Sequence, residues 1–190
     1  MAPGSPVEES SFDLRFQVER ARADPEAFGA LYDLYVDRVH AFAYRRLGSR
    51  AEAEDATAET MARALAGLHR FSWQGGGFGA WVFRIARNLC ADALRSRSRS
   101  VPLPPGEEGV EPATSGNPEE AAIDEETRAQ VRGLVAGLPD LQREVVLLKY
   151  SGGLRNTEIA PVMGMTPTAV SSLLHRTTQK LRERLGAHHA

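Results

Sequence analysis

Cysteine is nearly absent: Cys90 stands alone in 190 residues, so no internal disulfide can form and no CxxC zinc site exists. A reducing cytosol is the compartment that fits such a chain by default. No apolar run approaches the roughly 20 residues that span a bilayer, so no membrane insertion is expected. The opening stretch MAPGSPVEESSF has neither the basic nor the apolar part of a signal peptide. Residues 1–23 therefore read as a flexible leader, and the protein as cytoplasmic. Catalytic motifs are missing too. His40, His69, His175, His188 and His189 show no HExxH spacing, and neither GxxxxGK nor GxSxG occurs. No catalytic residue, metal site or cofactor is expected, and enzyme is the class the sequence favours least. The net charge of -2 shows no overall bias towards nucleic acid, but that average hides strong segregation along the chain.

Proline and glycine, by contrast, are concentrated. Pro102, Pro104, Pro105, Pro112 and Pro118 share the stretch from Ser100 to Pro118 with Gly106, Gly109 and Gly116. Missing backbone donors and a high entropy cost of ordering predict a linker over 100–119. Glu107, Glu108 and Glu111 make it acidic, and no Lys or Arg interrupts the acidic run until Arg128. On either side, alanine, leucine and arginine favour helix over strand. The expectation is an all-α chain of two small helical domains, 24–99 and 120–186, joined by a flexible acidic linker.

In the first module Asp24-Pro25 is an N-cap followed by a favoured first helical residue. Phe28, Leu31, Tyr32, Tyr35, Val39 and Phe42 then recur at helical spacing up to Gly48. Ser49-Arg50-Ala51-Glu52 fits a capping box and opens a second helix with Ala56, Thr60, Ala64 and Leu68 on one side. A third helix is predicted over 78–95, with Val82, Ile85, Leu89 and Ala93 as its inward stripe. The second module begins with a helix over 120–137. Asp140 is the expected cap of the next, whose inward residues are Leu141, Val145 and Leu148. A short helix over 157–163 follows, stopped by Gly164. Thr166-Pro167 then starts a long helix to Leu185.

Short helix, glycine turn and long helix make a helix-turn-helix between Asp140 and Leu185. Val170, Leu174, Thr177, Leu181 and Leu185 form the packed side of the last helix. Thr168, Ser172, His175, Arg176, Gln179 and Arg182 face away, where a helix entering the major groove meets bases and phosphates. A merely solvated face is the plainer reading of one such helix, but the glycine turn, the threonine-proline start and the basic end favour DNA. The helix over 78–95 carries a second basic stripe, Arg84, Asn88 and Arg95, flanked by Arg87 and Asp92. Arginines there neutralise phosphates, and Arg and Asn can also read base edges. Asp92 either accepts from a base amine or orients Arg95. Phe71, Trp73 and Phe78 surround three consecutive glycines. Phe71 and Phe78 are expected in the core, whereas Trp73 fits either core packing or stacking on an unpaired base. Glu52 and Glu54 suit the start of a helix. Asp55 and Glu59 lie one turn apart further in, where an acidic partner-binding patch is an alternative. Cys90 fits a buried small residue better than a redox sensor.

These motifs resemble the extracytoplasmic-function (ECF) group of sigma-70 family factors. Asp24–Arg99 is similar to sigma region 2 through Asp24-Pro25-Glu26-Ala27-Phe28, Ala53-Glu54-Asp55 with Glu59-Thr60, and Trp81 to Leu89. Leu138–Leu185 is similar to region 4 through Leu138-Pro139, Arg143-Glu144-Val145, Glu158-Ile159-Ala160, Gly164, Val170 and Leu174-His175-Arg176. The resemblance implies a sigma factor that binds core RNA polymerase and directs promoter recognition, melting and initiation. Asp55 and Glu59 would contact the clamp helices of the beta-prime subunit, with the beta subunit a further contact. Trp73, Arg84, Arg87, Asn88, Asp92 and Arg95 would recognise and melt the minus-ten element. Thr168, Ser171, Ser172, His175, Arg176 and Gln179 would read the minus-thirty-five element. An anti-sigma factor is the implied regulator. The chain departs from the family pattern at Pro161, inside the first helix of the helix-turn-helix, at Ser171 and Leu173, where basic residues are common, and at Met61. The readings that compete are a stand-alone helix-turn-helix regulator and a helical adaptor that does not bind DNA.

Overall fold

The computed structural model describes residues 6–73, 76–99 and 118–186, with side chains from 13 and from 127 onward in the helices that open the first and last of these stretches. Eight α-helices follow one another, and no strand occurs among the described residues. They are α1 (Pro6–Ala23), α2 (Gly29–Leu47), α3 (Arg50–Gly67), α4 (Gly77–Arg99), α5 (Pro118–Ala136), α6 (Asp140–Tyr150), α7 (Asn156–Met163) and α8 (Pro167–Gly186). Most of the expected linker lies outside the described residues, and its last two positions begin α5.

The expected flexible leader is instead largely helical. Leu14, Val18 and Ala21 recur at helical spacing, and Val18 and Ala21 are buried in the first module. The helix ends where the Asp24 side chain caps the 3-10 turn Pro25–Phe28 through the Glu26 amide, 3.0 Å. Local chemistry sets the other boundaries as well. Gly48 closes α2 at φ 70, a conformation that glycine adopts without strain, and the Ser49 hydroxyl accepts from the Glu52 amide to start α3. Asp140 does not cap α6. It is the first residue of that helix after Pro139, and its carboxylate pairs with Arg143, which holds its pKa below the usual range.

The core of the first module is Leu31, Tyr35, Val39 and Phe42 of α2 against Ala56, Thr60 and Ala64 of α3 and Val82, Phe83, Ala86 and Cys90 of α4. Tyr32 and Leu141 are exposed, not inward. The inward stripe of α4 is also broader than its spacing suggested. Ile85, Leu89 and Ala93 are only half-buried, while Phe83, Ala86 and Cys90 are fully enclosed. The reason is that α4 is covered on more than one side, because α7 of the second module packs against it. Phe83 meets Phe42 edge-on at 5.8 Å and also abuts Gly152, where a Cβ would lie only 2.7 Å from its ring.

Candidate nucleic-acid interface

The helix-turn-helix forms as its capping residues dictate. Gly164 stops α7 in the left-handed region at φ 66, and the Thr166 hydroxyl accepts from the Ala169 amide, 3.2 Å, at the start of α8. Val170, Leu174 and Thr177 are buried and Leu181 and Leu185 half-buried, so the packed face is the expected one. Thr168, Ser171, Ser172, His175, Arg176 and Gln179 are all exposed on the other face. Two of them already have intramolecular partners. Ser171 Oγ accepts from Asn156 Nδ2 at 2.8 Å, joining α8 to α7, and Gln179 donates to Glu183 at 3.1 Å. Leu173 is half-buried against the core, so its missing positive charge is a packing substitution. Helix α7 continues through Pro161. The Pro161 carbonyl, near the helix end where carbonyls lack helical partners, accepts from Arg84 Nη2 at 3.2 Å.

In the first module the aromatics divide as the sequence suggests. Phe71 and Phe78 are buried and meet edge-on at 5.4 Å, while Trp73 is half-buried and packs edge-on against Phe71 at 5.1 Å. Gly76 and Gly77 both have positive φ, 97 and 79, so this bend suits glycine. Gln74 and Gly75 lie outside the described residues. Along α4, Asn88, Asp92 and Arg95 are exposed, and Asp92 pairs with Arg95, one of the two roles expected of it. Arg97 reaches back to the Leu47 carbonyl and to Glu52.

Arg84 and Arg87 of the basic stripe are both engaged by the second module, Arg84 while still exposed and Arg87 half-buried. Arg87 Nε lies 3.0 Å from Glu144, a buried α6 carboxylate that Arg46 of α2 approaches at 3.6 Å. Arg38 clamps the Gly152 carbonyl through two nitrogens at 2.9 and 2.7 Å while lying over the Tyr35 ring. A Cβ on Gly76 would meet Pro161 Cγ at 2.7 Å. Sequence reasoning missed this junction. Its one visible signal was Glu144 beside the apolar run Val145–Leu148, where a buried carboxylate needs a cation.

On α3, Asp55 and Glu59 are exposed one turn apart, and Glu59 pairs with Arg63 at 2.6 Å. Cys90 is buried, and desolvation pushes its thiol up to about 12. Burial, opposed by the adjacent Arg38, likewise raises Tyr35 to about 12. Among the described residues no His, Cys, Asp and Glu cluster could hold a metal, and no helix is long and apolar enough to cross a membrane.

Comparison with known proteins covers both modules. Residues 31–100 match the sigma-70 region 2 family and residues 128–181 the sigma-70 region 4 family. The chain is 39% identical over 165 residues to the ECF RNA polymerase sigma factor BldN of Streptomyces coelicolor, covering 86% of this chain and 62% of BldN. It is 30% identical over 172 residues to the ECF RNA polymerase sigma factor SigW of Bacillus subtilis, covering 86% of this chain and 91% of SigW. In fold it is similar to RpoE of Bartonella quintana, solved in complex with the anti-sigma factor NepR, with a TM-score of 0.65 at 24% identity over 84% of this chain and 96% of that one.

Proposed function

Because the chain belongs to the extracytoplasmic-function group of sigma-70 factors, we infer that it serves in the cytoplasm as a dissociable specificity subunit of RNA polymerase. Helix α8 reads an upstream promoter element in the major groove through Thr168, Ser172, His175 and Arg176. Exposed Asn88, Asp92 and Arg95 of α4, together with Trp73 near the start of that helix, engage the melted downstream element. Asp55 and Glu59 contact the beta-prime clamp helices of core polymerase. The observation that carries this reading is the pairing, in one chain, of a capped helix-turn-helix with a polar outer face and a separate basic helix next to a half-buried tryptophan. A regulator that acts alone on duplex DNA needs only the first of these.

The junction between the modules supports dependence on polymerase. One Arg84 nitrogen is held by the Pro161 carbonyl and Arg87 Nε by Glu144, so a phosphate must compete with the buried Glu144 carboxylate for the Arg87 guanidinium. The anti-sigma partner of the Bartonella quintana relative suggests a regulator of the same kind here. The test is a gel-shift on a pool of genomic fragments. Discrete fragments should shift with protein plus core polymerase and not with protein alone. Equally specific binding by the free protein would instead indicate a stand-alone regulator.

A further inference from the structure

Helix α1 is a functional wall of the strand-capture site: we propose that Glu19 and Arg22 are positioning residues that hold Trp73 ready to stack on an unpaired base. The inference rests on the reading of Trp73 as a base-stacking residue. None of α1 falls within residues 31–100, the part of the first module that matches region 2.

The argument starts from backbone bookkeeping. The Leu68 carbonyl of the 3-10 turn Leu68–Arg70 accepts from the Phe71 amide at 3.1 Å, but the chain then leaves helical geometry and the Phe71 carbonyl needs a partner from elsewhere. Arg22 supplies that partner and a second donor to Leu68. Its Nε donates to the Leu68 carbonyl at 3.3 Å and its Nη2 to the Phe71 carbonyl, while the guanidinium lies 5.7 Å over the Phe71 ring. A guanidinium offers five donors in a rigid fork, which lets one side chain bind two carbonyls and still spare a donor. Arg22 Nη1 uses that donor on Glu19, at 2.9 and 3.1 Å to the two carboxylate oxygens. Glu19 Oε1 in turn accepts from the Trp73 indole nitrogen at 3.4 Å. Two carbonyls, one guanidinium, one carboxylate and one indole thus form a continuous chain from α1 to Trp73. Arg15, one helical turn before Glu19, places its guanidinium 5.0 Å over the indole ring.

Such a network gives Trp73 one orientation at low cost. A half-buried indole on a glycine-rich bend would otherwise sample many rotamers, and ordering it on contact with DNA would subtract from affinity. Holding it beforehand moves that entropy loss into folding. The polar indole edge is the anchored one, Arg15 lies over one ring face, and the opposite face is the part suited to stacking, which tolerates any base.

The experiment uses holoenzyme and a fluorescein-labelled 20-nucleotide single-stranded DNA library of random sequence, from which the wild type selects its strongest binder. Trp73→Ala should weaken that strand at least about tenfold. Arg22→Ala should weaken it by roughly as much, Glu19→Ala by about threefold, and Arg22→Lys should recover part of the loss. Combining Glu19→Ala with Trp73→Ala should cost nothing beyond Trp73→Ala alone, an outcome that a general loss of stability does not produce. In the full chain without polymerase or DNA, where Trp81→Phe leaves Trp73 as its one tryptophan, Glu19→Ala should also lower the anisotropy of Trp73 emission. Because Glu19 is exposed, its variant keeps the test valid if Arg22→Ala fails to fold. If no strand is selected, or Trp73→Ala binds as wild type does, the base-stacking reading falls and takes this inference with it. If Trp73→Ala weakens binding and the α1 variants do not, or if the double variant is additive, only the positioning role is overturned.

Discussion

At Cys90 the sulfur is enclosed by the first module, and its thiol titrates near 12, so almost no thiolate exists at neutral pH. Labelling of the native protein with an alkylating reagent should therefore be slow and become fast in denaturant; rapid native labelling would restore the redox-sensor reading. Tyr35 shares this chemistry, since burial lifts its hydroxyl to about 12 as well. The consequence for stability has a definite sign. Between the ordinary values of 9.0 and 10.0 and the folded values near 12, the unfolded chain has lost protons that the folded chain keeps. The unfolded state then binds fewer protons, so stability falls as pH rises through that window. The melting temperature of Tyr35→Phe should decline less steeply over that range than that of the wild type. Parallel declines would show that the buried hydroxyl is not a source of the slope.

Among the elements, boundaries were more legible than faces. Ser49, Gly48, Gly164 and Thr166 act on atoms within a few residues, so their roles can be read from sequence order alone. Faces depend on what packs against them. Tyr32 and Leu141 follow helical spacing yet are exposed, and α4 buries a wider stripe than a helix with one partner would. The spacing of Leu14, Val18 and Ala21 was present in the first residues but masked by the polar, proline-containing start of the chain. The Glu19–Arg22–Trp73 chain spans about fifty positions, which no local pattern reports. The glycine turn gives a direct check at this scale. Gly164→Ala puts a Cβ into open space but at φ 66, so the cost is conformational, about 1–2 kcal/mol. Urea unfolding should show that loss. An unchanged midpoint would mean that the turn relaxes without strain.

For the whole molecule, the central feature is that the two modules grip each other, and that Arg84 and Arg87, expected to grip the promoter, take part in that grip. Arg87 with Glu144 and Arg38 with the Gly152 carbonyl join positions 57 and 114 residues apart. The contact is polar at its edges and packed at Phe83, and it covers part of the basic stripe of α4. A fluorophore pair on exposed positions of α3 and α8 should report a short distance in the free protein and a longer one after core polymerase is added. No change in distance would argue that the modules remain closed when bound. Removing one partner of a half-buried ion pair is costly because the remaining charge is stranded, so Glu144→Ala should lower the melting temperature more than Glu59→Ala, whose carboxylate is exposed. The account as a whole depends on polymerase, and one measurement reaches it most directly: transcription in vitro by core polymerase on genomic DNA, with and without this protein. The account predicts that adding the protein creates a small set of discrete start sites, each lost with Arg176→Ala. A transcript profile that is the same with and without the protein would contradict it.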